Sequence, residues 1–115
     1  MPQLISSPSR IPVPGGKVID EYVGRVTTGS TGASVAHMTA PGGWEEPAQT
    51  PEFDEVTLVL RGTVRVEHDA GTLEIYAGQA VLTRAGERVR YTTPEEAEYV
   101  AVCLPAFAPE LAHRE

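Results

Sequence analysis

The sequence predicts a single all-β domain, and three observations carry that reading. From Ser34 onward, short segments rich in Val, Thr, Tyr and Ile recur between turn signals such as Arg61-Gly62, Asp69-Ala70-Gly71 and Ala77-Gly78. The gaps between them are too short for the helical crossovers of a parallel sheet. Glycine (11) and proline (10) are both abundant in a chain of 115 residues, which favours many short elements over long helices. Evenly spaced short strands of this kind build a sandwich or a barrel.

The elements follow in order. Residues 1–16 hold four prolines and three serines without periodicity, and are expected to form an arm outside the core. A single domain over 17–107 is expected to start with a strand near 18–26, before the turn-rich run TTGSTG. The segment SVAHMTA (34–40) is a strand with two possible inner faces: Val35, His37 and Thr39, or Ala36, Met38 and Ala40. Residues 44–53, WEEPAQTPEF, are too polar and proline-rich for a core strand and read as a loop or irregular strand. Further strands are expected at 55–61, 63–68, 72–76, 79–84, 88–93 and 98–104. In the hairpin VRVEHDAGTLEIYAG, Val64, Val66 and His68 share one face and Arg65 and Glu67 the other; Leu73 and Ile75 oppose Thr72, Glu74 and Tyr76. That alternation belongs to a half-buried antiparallel sheet. Residues 108–115 form a tail in which Pro109 to Arg114 has room for one helical turn.

Composition excludes several function classes. The net charge is −7, with no basic stripe, so the expectation is no nucleic-acid partner. No apolar run reaches the ~18 residues of a membrane span, and the start of the sequence lacks the charged and apolar runs of a secretory signal, so a cytoplasmic setting without membrane contact is expected. Cys103 is the single cysteine, so neither an intrachain disulfide nor a cysteine zinc cluster is available.

Two segments carry a family resemblance. Residues 41–62, PGGWEEPAQTPEFDEVTLVLRG, and 78–94, GQAVLTRAGERVRYTTP, resemble the two motifs of the cupin superfamily. Pro41-Gly42 and Glu55-x6-Gly62 match the first motif, and Gly78 and Gly86 match the second. The histidine positions of the first motif hold Gln49 and Pro51, or Ala48 and Thr50 with a longer gap; Arg84 stands for the second motif's proline and Val89 for its histidine. Within the superfamily the chain is similar to the cupin-type ethanolamine-utilisation protein, through Asp54-Glu55-Val56, Val59-Leu60, Gly62, Thr93-Pro94, Tyr99-Val100-Ala101 and Pro105-Ala106 among others. The resemblance implies a jelly-roll barrel (double-stranded β-helix), a pocket between two sheets and a homodimer, with the N-terminal arm available to extend a partner's sheet. Of the family's four metal ligands, three histidines and a glutamate, only Glu55 remains, so no metal or other cofactor is expected. An acetate kinase activity attributed to that subgroup has no phosphate loop or arginine clamp to support it here.

The candidate site follows from strand parity and the loop. An inward Glu55, with Thr57 and Val59 on the same face, would carry a raised pKa and serve as a general acid or base. Tyr91 shares parity with Val89 and offers a phenol to the same interior. Trp44 and Phe53 would form an aromatic wall, with Glu46 and Gln49 as hydrogen-bonding groups. Arg88 and Arg90 have the opposite parity and belong outside. Cys103, in the apolar run YVAVCLPAF, reads as buried and inert. Three functions remain open at this level. The leading one is a metal-independent small-molecule protein running proton-transfer chemistry such as isomerisation, cyclisation, epimerisation or dehydration. The others are a non-catalytic ligand-sensing or pathway accessory protein, and an atypical metalloenzyme using His37, Glu46, Gln49 and Glu55.

Overall fold

A computed structural model describes all residues, 1–115. The alternation seen in the sequence resolves into ten strands and one short helix: β1 (Ser9–Ile11), β2 (Val18–Val23), β3 (Ser34–Ala40), β4 (Trp44–Glu45), β5 (Asp54–Arg61), β6 (Thr63–His68), β7 (Gly71–Tyr76), β8 (Ala80–Thr83), β9 (Val89–Thr93), β10 (Ala97–Leu104) and α1 (Pro109–Ala112). They form two antiparallel sheets, ordered β1-β2-β3-β10-β5-β8 and β4-β9-β6-β7. This is the all-β jelly roll that the sequence implies. No helix is long and apolar enough to cross a membrane.

Strand parity decides which side chains enter the barrel. On β10, Ala97, Tyr99, Ala101 and Cys103 are buried, whereas Glu98, Val100, Val102 and Leu104 face out. On β3 the inner set is Ser34, Ala36, Met38 and Ala40. One end of the barrel is filled by Val59, Val64, Val66, Ile75, Val81 and Val89. A second cluster of Phe53, Cys103 and Ala112, with Phe107 and Leu111 packed on it, closes the region beneath the helix. In the β6–β7 hairpin, Val64, Val66 and Ile75 are buried as expected, but Leu73, on the edge strand β7, is 49% exposed.

The two ends of the sequence join the domain more closely than an arm and a tail would. Residues 9–11 pair with β2 of the same chain, with Arg10 bound bidentately to Asp20 across the strands. An edge strand takes the nearest free ladder, and here that ladder is its own. The tail is stitched to residues 48–52 by backbone bonds: Glu115 N to Ala48 O at 2.9 Å, Thr50 N to His113 O at 3.4 Å and Glu52 N to Leu111 O at 2.9 Å.

At Gly62 the chain leaves one sheet and enters the other. Its φ is +78°, and a Cβ there would lie 2.0 Å from the carbonyl oxygen of Glu96. Gly78 has a similar φ of +86° but open space around it. The left-handed region disfavours side chains at both positions. Gly62→Ala is therefore expected to destabilise the fold by ~3 kcal/mol or more, against ~1 kcal/mol for Gly78→Ala. Urea unfolding of both variants checks this; equal losses would show that the crossover is not sterically sealed.

Candidate functional site

The inner face of the larger sheet leaves a space because three central strands place small residues in register. Thr57, Ala101 and Ala36 lie side by side across β5, β10 and β3. The next row, Val59, Tyr99 and Met38, is bulky and forms one boundary. The result is a cavity of about 390 Å³. Its apolar wall includes Ile11, Val13, Ile19 and Met38, and its polar wall Lys17, Glu46, Gln49, Glu55, Tyr91 and Arg114. A cavity of this size with convergent polar groups is the usual form of a small-molecule site.

Glu55 points inward from β5, and the part of its surface that remains accessible lines the cavity. Burial, with the neighbouring Glu46 charge adding to it, pushes its pKa up to about 7; Lys17, Arg114 and the Tyr91 hydroxyl act in the other direction. Glu46 is raised too, mainly by burial and against the pull of Lys17 and Arg114. Arg114 Nη2 lies 3.8 Å from a Glu46 carboxylate oxygen, and its Nε donates to Gln49 Oε1 at 3.3 Å. The Lys17 ammonium sits 4.1 Å from the centroid of Trp44 and 5.6 Å from that of Tyr99, and burial lowers its pKa. The Tyr91 hydroxyl bonds Thr83 Oγ1 at 3.0 Å, and burial holds its pKa up.

Most of the residues expected from the sequence come together, and three do not. Glu55, Thr57, Tyr91, Glu46 and Gln49 all line the cavity. Gln49 is held there by two backbone bonds to Val89, each 2.9 Å. Phe53 is 1% exposed and lies in the second cluster, edge-to-face on Phe107 at 5.7 Å, so it is a packing residue behind the wall. Trp44 stands one layer out, touching the site through the Lys17 ammonium. His37 takes the outer face of β3, opposite Val100 and Asp20, with Nε2 2.6 Å from Glu98 Oε2. It therefore cannot join Glu46, Gln49 and Glu55 in a metal site. The position of the family's last histidine is Val89, 2% exposed in the core. The remaining donors, two carboxylates and an amide, do not fit a three-histidine metal centre. As expected, Cys103 is buried, and burial raises its thiol pKa. Arg90 reaches Glu67 and Arg88 reaches Glu115 outside the barrel.

Sequence reasoning missed Lys17, Arg114 and the apolar wall from 11–13. Lys17 is the one lysine in the chain, a signal visible in the composition. Arg114 gave none, because its place depends on the docked tail.

Comparison with known proteins agrees with this geometry. The family of AraC-binding-like domains matches residues 22–115. The chain belongs to that family, within the cupin superfamily. A protein of Myxococcus xanthus named endoribonuclease YbeY is 49% identical over 107 residues, covering 91% of this chain; the chain spans only 36% of that protein's length. An ethanolamine utilization protein Q of Salmonella typhimurium superposes with a TM-score of 0.64 at 22% identity, over 79% of this chain and 71% of that one. An RmlC-like cupin of Shewanella frigidimarina superposes with a TM-score of 0.74 at 13% identity, over 90% and 89%. At these identities the two structures establish the fold alone.

The elevated Glu55 pKa has a consequence for stability. Unfolded, this carboxyl ionises near 4.5; folded, near 7. Between those values the folded chain holds a proton that the unfolded chain has lost. The stabilisation from this group is complete below the lower value and is lost as pH rises through the upper one. Glu46 contributes with the same sign. Between pH 5 and 8 the native protein is expected to lose roughly 2–3 kcal/mol more stability than Glu55→Gln. Urea titrations across that range measure it, and parallel profiles would mean that Glu55 ionises normally.

Proposed function

We propose that this AraC-binding-like domain binds a small organic molecule in its barrel and uses Glu55 to move a proton on it, without the family's three-histidine metal. The observation that carries the reading is a cavity-facing carboxyl poised near neutrality beside a second buried carboxylate. A group with that pKa exchanges protons in either direction near pH 7. Tyr91 would hold a donor or acceptor beside the reacting atoms, and Gln49, fixed by its backbone ladder, would orient the ligand. Isomerisation, cyclisation, epimerisation and dehydration need no more than such a proton shuttle. The activity named for the Myxococcus relative stays with that protein, since the match covers about a third of it and the surface here is acidic.

A metabolite library screened by ligand-observed NMR is expected to give small organic hits on the native protein. Ala101→Leu, which fills the small-residue row, should weaken them at least ~10-fold. For any hit that is converted, Glu55→Gln should keep binding and lower turnover by ~100-fold or more. Hits indifferent to Ala101→Leu would move the site out of the barrel, and undiminished turnover in Glu55→Gln would refute the acid–base role.

We also propose that two copies associate through the outer face of the larger sheet. Leu58, Val56, Leu82, Val100 and Val102 lie in adjacent rows there, with Leu58 and Leu82 41% and 48% exposed. The charges beside them are already paired within one chain, Arg61 with Glu96 and Glu98 with His37. Two identical faces of this kind meet without like-charge repulsion. Light scattering should give twice the 12.3 kDa chain mass at tens of micromolar, and Leu58→Arg should return it to the monomer. A native monomer at that concentration would sink the proposal.

A further inference from the structure

Lys17 is the one lysine in a chain whose other eight basic side chains are arginines. It is also the one cationic side chain in the cavity that no protein acceptor engages. The other two are occupied: Arg25 Nε donates to Ala106 O at 3.3 Å, and Arg114 is held between Gln49 and Glu46. The Lys17 ammonium has ring faces on one side, Trp44 and Tyr99, and no hydrogen-bond or ion-pair partner. No fully buried side-chain nitrogen or oxygen lacks a partner, so Nζ keeps surface, and that surface opens on the cavity. The ammonium thus keeps donors free toward the cavity, where Glu46 and Glu55 act on it through charge but no protein acceptor reaches it directly. A desolvated ammonium in that state is an incomplete binding site for an oxyanion.

The charges around it fix the ligand's charge. Glu21 also lines the cavity, but its carboxylate is consumed by the backbone of Val26 and Thr27 and by the Thr27 hydroxyl. Arg25, on the same cavity, balances the Glu21 charge, which leaves Lys17, Arg114, Glu46 and Glu55 to be counted. With Glu55 protonated, those four carry one net positive charge. Ile11, Val13, Ile19 and Met38 line the same cavity with apolar surface and accept an uncharged body.

We propose that the cavity takes a small organic monocarboxylate, its carboxylate on the Lys17 ammonium beside Arg114 and its apolar body along Ile11, Val13, Ile19 and Met38. This rests on the reading of the cavity as the binding site and names the class of molecule that enters it. The bound carboxylate adds a negative charge beside Glu55 and Glu46, so binding draws a proton onto Glu55. The other titratable groups facing Glu55 are Tyr91, Tyr99 and Cys103, all held neutral by burial, and they leave the proton to the carboxyls.

The test pairs carboxylates with their amides: butanoate, hexanoate and benzoate against butanamide, hexanamide and benzamide. Binding is followed by calorimetry in two buffers of different ionisation enthalpy and by shifts of the Met38 and Tyr91 resonances. At pH 6 each carboxylate should bind at least ~10-fold tighter than its amide. Near pH 8 binding should take up about one proton, and Glu55→Gln should lose that uptake while keeping the preference for carboxylate. Lys17→Met should bring each carboxylate's affinity down to that of its amide; Lys17→Arg, which keeps the charge, should retain most of the preference and guards against a folding defect in the first variant. Amides that shift the cavity resonances as strongly as carboxylates would overturn the carboxylate assignment and leave the cavity as the site. A preference that survives in Lys17→Met would overturn the role of the lysine. Silence of the cavity resonances toward both series, with library hits elsewhere, would overturn this inference together with the reading it rests on.

Discussion

The register of β3, β10 and β5 is the constraint on which the site depends. Antiparallel pairing puts Ala36, Ala101 and Thr57 in one row and Met38, Tyr99 and Val59 in the next. The small row leaves volume and the large row bounds it. A slip of one residue on any of these strands would turn its inner set outward. It would replace Glu55 in the barrel by Asp54 or Val56 and close the space with valine and leucine. The cavity is therefore a property of pairing, held by the same ladders that carry Glu55 and Tyr91.

Those polar groups gain their character from dehydration. Outside the barrel, opposite charges pair in water, as Arg65 with Glu74 or Arg88 with Glu115, and such pairs add little. Inside, Glu55, Glu46 and Lys17 are driven toward their neutral forms, while each charge favours the ionisation of its opposite neighbours. The balance leaves Glu55 near neutrality.

Much of this was legible in the residues. The period-2 alternation and glycine punctuation gave the strands from β3 onward to within a residue, except for β4, while the strand expected at 18–26 ends at Val23; β1 and β4 are too short to show a period. Parity placed Glu55, Thr57 and Tyr91 inside, and Val89 beside Tyr91. Parity alone left the face of β3 open between Val35-His37-Thr39 and Ala36-Met38-Ala40; the structure turns the wholly apolar set inward, with Ala36 opposite Ala101. Phe53 and Trp44 looked like a pocket wall because both lie in the polar loop. Phe53 instead answers to Phe107 and Ala112, far away in sequence. Arg114 and the wall at 11–13 were illegible for the same reason: their positions are set by long-range docking, which no local pattern records.

The polar wall draws on residues from Lys17 to Arg114, while the large buried side chains of the filled half, from Val59 to Tyr99, lie closer together in sequence. Contacts so distant in sequence are slow to close. During synthesis the hairpin of β6 and β7 can form long before residue 114 exists. The barrel's filled half is thus able to fold first, and the charge cluster is completed only when residues 111–115 zip onto residues 48–52. A nascent chain that stops short of residue 114 would present an open, uncapped trough in place of a cavity, and the electrostatics that tune Glu55 would arise only once Arg114 docks.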